Sequence, residues 1–347
     1  MNTVKKLIEE GISLHKKNKL NDAKIKYLEV LKIDRENFQI NRLLALIEYS
    51  LENYNNSIKL FGECIKAKPS NSEAYSDRGV VYHKLKEIKK AEKDYLKAID
   101  IDNNTNALFN YANLLKENNN FNEAIFHYNL AIKAKPDFEN AYQNRGLVKF
   151  LQHQNHDALD DFNKVIKINS NHANAHFLKS AIELKKENLI EGFKNYEWRW
   201  KSSLFFSNIR SFNEKTWNGI DDIKNKTILL YSEQGLGDQI HFIRFVDLIL
   251  EKGANVIVEV DPRLVKLFKH TTNFKNIYPQ GSKLPNFDLQ CPIMSLPYKL
   301  KIDINSIPNE PYLKCKTENF DKWNKLLDKN SINIGINWQG GVDPRQD

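Results

Sequence analysis

Residues 72–104 read SEAYSDRGVVYHKLKEIKKAEKDYLKAIDIDNN, and the small side chains Gly79 and Ala91 and the aromatic Tyr95 are the positions that matter. The same spacing returns along the chain in units that start at 4, 38, 72, 105, 139 and 173, separated by 34, 34, 33, 34 and 34 residues. The eighth position holds Gly11, Ala45, Gly79, Ala112, Gly146 and Ser180, and the twentieth holds Ala23, Ser57, Ala91, Ala124, Ala158 and Gly192. Every one of these is small, as two closely crossing helices require. The twenty-fourth position is aromatic throughout: Tyr27, Phe61, Tyr95, Tyr128, Phe162 and Tyr196. Pro69 and Pro136 stand at the thirty-second position, where a helix must end.

This pattern resembles the tetratricopeptide repeat, because three independent positions keep their character in all six units. The resemblance implies a helix–turn–helix in each unit and an α-solenoid over residues 4–205, stabilised by stacking because no single pair can bury its apolar face alone. It also implies a groove for a protein or peptide segment, held in such arrays by asparagines at the sixth position, where an amide donates and accepts together. The sixth positions here are Glu9, Leu43, Asp77, Asn110, Asn144 and Leu178, so Asn110 and Asn144 are the candidate groove residues. The alternative for both is a solvated polar position, since asparagine is abundant throughout the chain.

Composition narrows the remaining classes. Of the 52 basic residues only nine are arginine, whereas phosphate and base recognition favour the bidentate guanidinium. The net charge of +8 resides mainly in residues 1–219, which carry +7, and nucleic acid is not the expected partner. Cys64, Cys291 and Cys315 are odd in number and far apart, which fits a reducing, cytoplasmic setting without disulfides. No apolar run approaches the ~18 residues of a membrane span. The pairs His153/His156 and His172/His176 have spacings compatible with one helix face but lack carboxylate companions in a metal motif, so no metal site is expected.

After the last unit comes Tyr196-Glu197-Trp198-Arg199-Trp200-Lys201, then a connector, 206–225, containing Trp217. Tryptophans are costly to leave in water, and they are expected to fasten the array to the C-terminal domain. From residue 226 the pattern alternates. Thr227–Tyr231 and Val256–Val260 read as buried strands, with Ile240–Glu251 as a helix between them and Asp261-Pro262 opening another. Short strands come next at 276–279 and 287–291, then a helix at about 317–329 and a strand at 332–338. The fold class expected is therefore α + α/β: a repeat solenoid, then one Rossmann-like parallel α/β domain over 226–347.

Between the first strand and its helix lies the loop Glu233-Gln234-Gly235-Leu236-Gly237-Asp238. Gly235 and Gly237, with Glu259 about 20 residues on, partly match a dinucleotide fingerprint, but Ile240 stands at the third glycine position. The string EQGLGDQIHFIRF, together with YEWRW, FDLQCPIMSLP and IGINWQG, instead resembles the tetratricopeptide-repeat glycosyltransferases, which are similar to the heptosyltransferases of glycosyltransferase family 9 and to protein O-GlcNAc transferases. That resemblance implies the acceptor-facing N-terminal half of a GT-B fold, an inverting transfer from a nucleotide-sugar donor, and no metal. It places Asp238 as the general base, with Gly235, Gly237, His241 and Arg244 around a protein or glycan acceptor. Asp238 also reads as a helix cap, whose pKa the helix terminus would lower. The chain as written stops before the donor-binding half implied by the resemblance, so it is expected to bind no cofactor and to show no transferase activity. The other reading is a non-catalytic adaptor built on the repeats.

Overall fold

A computed structural model describes residues 2–205, 210–272 and 274–313, together with 321, 324 and 325. The expected helix at 317–329, the strand at 332–338 and Cys315 lie outside this described set, apart from those three positions. The chain divides into two compact units, Met1–Ile182 and Glu183–Asp347, so the division falls inside the sixth repeat rather than at residue 205.

In the first unit the helices are α1 Asn2–Lys16, α2 Leu20–Ile33, α3 Phe38–Ser50, α4 Tyr54–Ala67, α5 Ser72–Lys84, α6 Ile88–Asp102, α7 Thr105–Glu117, α8 Phe121–Ala134, α9 Glu139–Leu151 and α10 Asn155–Ile168. Two helices make each repeat, and the small eighth position of the first meets the aromatic twenty-fourth position of the second. A methyl group added at Gly11 would come within 2.5 Å of the Tyr27 ring, one at Gly79 within 2.7 Å of Tyr95, and one at Gly146 within 2.8 Å of Phe162. Tyr27, Phe61, Tyr95, Tyr128 and Phe162 are all completely buried. Each buried ring contributes about 1.5–3 kcal/mol relative to an exposed one.

The turn inside each repeat has a fixed backbone form. The fifteenth residue of each unit, Asn18, Glu52, Lys86, Asn119, His153 and Glu187, is left-handed, with φ between 57° and 62°. The following N–H then reaches back five residues, as in Glu87 N to Tyr82 O at 2.9 Å and Asn120 N to Leu115 O at 2.8 Å. This is the Schellman closure of a helix C-terminus, usually made by glycine. His153 is thus part of a turn and does not share a helix face with His156. His172 accepts the Ala175 N–H through Nδ1 at 3.3 Å, as a helix cap would. Among the described residues the carboxylate-bearing group of potential ligands is His156, Asp157 and Asp160, all exposed.

Position seven faces position twenty-three within a repeat. Arg78 grips Asp94 with two hydrogen bonds, at 2.7 and 2.8 Å, and Arg145 grips Asp161 at 2.9 and 2.5 Å. The equivalent pair is Lys26 with Glu10 at 3.3 Å in the first repeat, and the edge-on rings of Tyr111 and His127, 4.8 Å apart, in the fourth. The chemistry changes from repeat to repeat while the contact is kept.

The second unit begins with the end of α11 (Ala173–Lys185) and α12 (Leu189–Tyr196), followed by a 3₁₀ turn at Glu197–Lys201. Its strands are β1 Lys215–Thr216, β2 Thr227–Tyr231, β3 Asn255–Val260, β4 Ile277–Pro279 and β5 Leu289–Pro292, in the order β1-β5-β2-β3-β4 with every pairing parallel. Both faces are covered. Ile228, Leu230, Val256, Val258 and Val260 pack with Phe242, Val246, Ile249 and Phe268, while Leu229, Tyr231 and Ile257 pack with Phe212, Tyr278 and Phe287. The expected helix 240–251 is replaced by α13 (Leu236–Phe242), a 3₁₀ turn at Ile243–Phe245 and α14 (Val246–Glu251). Phe242, Ile243, Phe245 and Val246 are all buried, a wider apolar arc than one straight helix face presents, and the tighter turn re-aims them. Helix α15 (Pro262–Thr271) starts as expected, with the Asp261 carboxylate accepting the Arg263 N–H at 2.9 Å. Trp217 is buried and donates its indole N–H to the Asp221 carbonyl at 3.0 Å.

The ring contact separates two glycines that look alike in sequence. Gly79→Ala must displace the Tyr95 ring and is expected to destabilise by about 1–3 kcal/mol. Gly62→Ala, whose new methyl would meet nothing closer than 4.0 Å, is expected to stabilise by about 0.5–1 kcal/mol through helix propensity. Urea unfolding of both variants checks the pair, and the same sign for both would overturn the assignment. The Tyr95 hydroxyl is buried without a hydrogen-bond partner, so Tyr95→Phe is expected to keep or raise stability in the same assay.

Candidate functional site

In a parallel sheet, ligands meet the carboxyl ends of the strands where the connections part to opposite sides. From β2 the chain runs outward to β3 and β4, then crosses to place β5 on the other side of β2. The crevice is therefore bounded by the loop after β2, residues 232–235, and the turn after β5, residues 293–295.

Gly235 caps α13, and Asp238 is the third helical residue rather than the cap. Its carboxylate lies on the Gly235 side of the helix start, 3.7 Å from where a Gly235 methyl group would stand. The Asp238 pKa is raised, not lowered as the helix terminus alone implies: partial burial outweighs the nearby His241 and the Gly235 N–H. Gly235 and Gly237 are exposed, and a methyl group at Gly237 would meet nothing within 4 Å, so the loop surface beside Asp238 is open. His241 is exposed with its ring against Phe242, and its pKa is lowered by desolvation and by Arg244. Arg244 turns away, donating to the His241 carbonyl at 3.0 Å and the Tyr312 hydroxyl at 3.1 Å while lying over the Tyr312 ring. Gln239 ties the loop to its neighbour: its side chain donates to the Gln234 carbonyl and accepts the Asp261 N–H, both at 2.8 Å. Glu259, the acid of the dinucleotide fingerprint, is fully buried and accepts from Arg210 and from the Gly281 N–H.

Sequence reasoning missed the strongest polar cluster. In the Trp198-Arg199-Trp200 segment it is the arginine that is fully buried, while both tryptophans are half-exposed. Arg199 Nη2 donates to both Glu233 carboxylate oxygens, at 2.8 and 3.0 Å, and to Ser295 Oγ at 2.8 Å. Its Nη1 donates to Glu197 at 2.6 Å, and Ser295 in turn donates to Glu197 at 2.8 Å. The guanidinium stacks between Tyr196 and Trp200, 4.6 and 4.4 Å from the ring centres. The Glu233 side chain is 2% exposed, and burial, with Glu197 adding repulsion, pushes its carboxyl up to about 7 against the pull of Arg199.

In the first unit the two candidate asparagines differ. Asn144 donates to Asn113 at 2.8 Å, and Asn113 also accepts the Tyr128 hydroxyl at 2.6 Å, so Asn144 links α9 to α7 and α8. Asn110 is half-buried on α7. Asp77, also at a sixth position, is gripped by Arg42 of the preceding repeat at 2.8 Å.

Family models of the tetratricopeptide repeat match residues 40–71, 72–104 and 105–138. The chain carries tetratricopeptide repeats. Among curated proteins it is similar to human protein O-mannosyl-transferase TMTC3, at 24% identity over 47% of this chain and 20% of that protein. It is also similar to protein FlbA of Caulobacter vibrioides, at 26% identity over 43% of this chain and 26% of that one. The chain thus spans about a fifth to a quarter of the length of these relatives. Of solved structures, PilW, a type IV pilus biogenesis factor, aligns with a TM-score of 0.51 at 18% identity over 58% of this chain and 92% of that one, a likeness of fold alone. No helix among the described residues is long and apolar enough to cross a membrane.

Glu233 makes stability depend on pH in a defined direction. Its folded pKa lies above the unfolded value of 4.5, so the folded state holds the extra proton, and that contribution is full below about 4.5 and lost as pH rises through about 7. Glu233→Gln is expected to remove this component. Urea midpoints at pH 5 and pH 7.5 should fall further with pH in the wild type than in the variant, and parallel behaviour of the two would overturn the assignment.

Proposed function

We propose that this chain supplies the repeat and acceptor-facing part of a repeat-guided glycosyltransferase. In this reading the tetratricopeptide array binds a protein or peptide segment of the acceptor, and the α/β unit forms the acceptor-facing half of a nucleotide-sugar-dependent, inverting transferase. The observation that carries the reading is Asp238, a half-buried carboxylate with a raised pKa on an open glycine loop, at the switch point of a parallel sheet. A general base gains from a carboxylate that holds a proton more strongly than a solvated one, and it needs an approach to the acceptor hydroxyl free of side chains. Desolvation supplies the first, and Gly235 and Gly237 supply the second. The similarity to a protein named an O-mannosyl-transferase, over a fifth of its length, agrees with this reading.

Within this reading His241 is an acceptor contact, being exposed and on the same helix as Asp238. Arg244 is a wall of the site, because Tyr312 and the His241 carbonyl already hold it. Asn110 remains a groove residue, whereas Asn144 serves the peptide indirectly by fixing Asn113. The site needs no metal ion for this chemistry: the proton passes from the acceptor oxygen to Asp238 as that oxygen attacks the sugar, and the nucleotide diphosphate leaves. A non-catalytic adaptor is the second reading, favoured by the repeat matches, which carry protein binding without any transfer.

The test compares the complete gene product with its Asp238→Asn variant, using a panel of nucleotide sugars and detecting nucleotide release and acceptor mass. Asp238→Asn is expected to reduce turnover by about 10²–10⁴-fold while leaving the far-ultraviolet spectrum unchanged. Turnover retained by the variant would leave Asp238 as a capping residue only, and absence of transfer from every donor would favour the adaptor.

A further inference from the structure

The Arg199 cluster is far more elaborate than a helix terminus requires. A guanidinium with no exposed surface is costly to bury, and a chain that needed only an apolar plug at this point would be served as well by methionine. What the arginine does that an apolar side chain cannot is bond two separate loops at once. One arm of its fork closes on Glu233, in the loop after β2, and the same nitrogen reaches Ser295, in the turn after β5. These are the two walls of the switch-point crevice. Glu197 completes the set by bonding both Arg199 and Ser295. Stacking between Tyr196 and Trp200 fixes the plane of the fork, and α12 anchors this segment in the unit through the Phe193 ring, edge-on to Phe242 of α13 at 6.2 Å.

We propose that Arg199 is a positioning residue for the candidate transferase site: by tying Glu233 to Ser295 it sets the separation of the two loops and, through the short connection Glu233–Asp238, the place of the Asp238 carboxylate. The inference rests on the transferase reading for its meaning but not for its test. The last helix and turn of the repeat array thereby supply a structural part of the sheet unit's site, which explains why α12 belongs to that unit.

The test uses the whole chain and two readouts. In hydrogen exchange followed by mass spectrometry, Arg199→Met is expected to accelerate exchange at least tenfold in peptides covering 232–238 and 293–296, with strands 227–231 and 255–260 within twofold of wild type. Glu233→Met should loosen the first loop and Ser295→Ala the second, which keeps the test decisive if Arg199→Met does not fold. In proton NMR the His241 ring, which lies close enough to Asp238 to feel its charge, is expected to titrate at lower pH in Arg199→Met, in the direction set by Asp238→Asn. An unmoved His241 midpoint, or strands that loosen as much as the loops, would overturn the proposal and leave Arg199 as a general stabiliser. Neither readout involves sugar transfer, so a protein that transfers nothing yet shows both changes would fail the transferase reading alone.

Discussion

An aromatic ring pressed against a position with little or no side chain is the contact on which the repeat unit depends. Tyr27, Tyr95 and Phe162 each lie against a glycine of the partner helix, closely enough that even a methyl group would collide with the ring. The ring fills the gap that the missing side chain leaves, and dispersion across that interface depends steeply on distance. Alanine takes the same position in the second and fourth repeats, as Ala45 and Ala112, and both are fully buried. The polar contacts between the two helices vary around this contact. At positions seven and twenty-three the partners are a bidentate ion pair, a single ion pair or two edge-on rings, all serving the same pair of helices.

The second unit is held differently. Its sheet is buried by aliphatic and aromatic residues on both faces, a non-directional force that does not specify where loops stand. Direction comes from hydrogen bonds of charged and amide side chains, which are geometrically demanding. Arg199, Gln239 and Glu259 each make such bonds across the carboxyl end of the sheet, the first between the loops after β2 and β5, the second between the loops after β2 and β3. Glu259 is spent on Arg210 and Gly281, so the residue that a dinucleotide fingerprint would assign to a ribose is part of the scaffold. Asp238 is left as the partly exposed carboxylate on the open glycine loop.

A carboxylate at a helix start and a carboxylate poised as a base are not competing descriptions of Asp238. Its place at the helix start sets it beside the Gly235 backbone, while desolvation strengthens its hold on a proton more than the nearby His241 and Gly235 weaken it. The same balance, carried further by burial and by the neighbouring Glu197, accounts for Glu233.

The repeat architecture was legible in the sequence because a 34-residue period repeats small and aromatic residues six times, and each repetition tests the last. The strands at 227–231 and 255–260 were legible for a local reason, since apolar runs of that length, bounded by turn residues, have few alternatives. The intra-repeat turns were not, because Glu52, Lys86 and His153 hold a left-handed backbone without the glycine that normally signals it; the surrounding helices impose the conformation. The break at Ile243–Phe245 was also hidden, as it reflects how many neighbours demand an apolar face at once. Arg199 was the largest omission. Its flanking tryptophans drew the attention due to buried aromatics, yet Glu233 and Ser295 stand 34 and 96 positions away. A salt bridge across such separations leaves no local pattern, and the sign of a pKa shift depends on burial that no single segment contains. The sequence alone determined the repeats and the order of strands and helices; which side chains meet at the carboxyl edge of the sheet was decided by the tertiary structure, because desolvation and directional hydrogen bonds are properties of the packed chain.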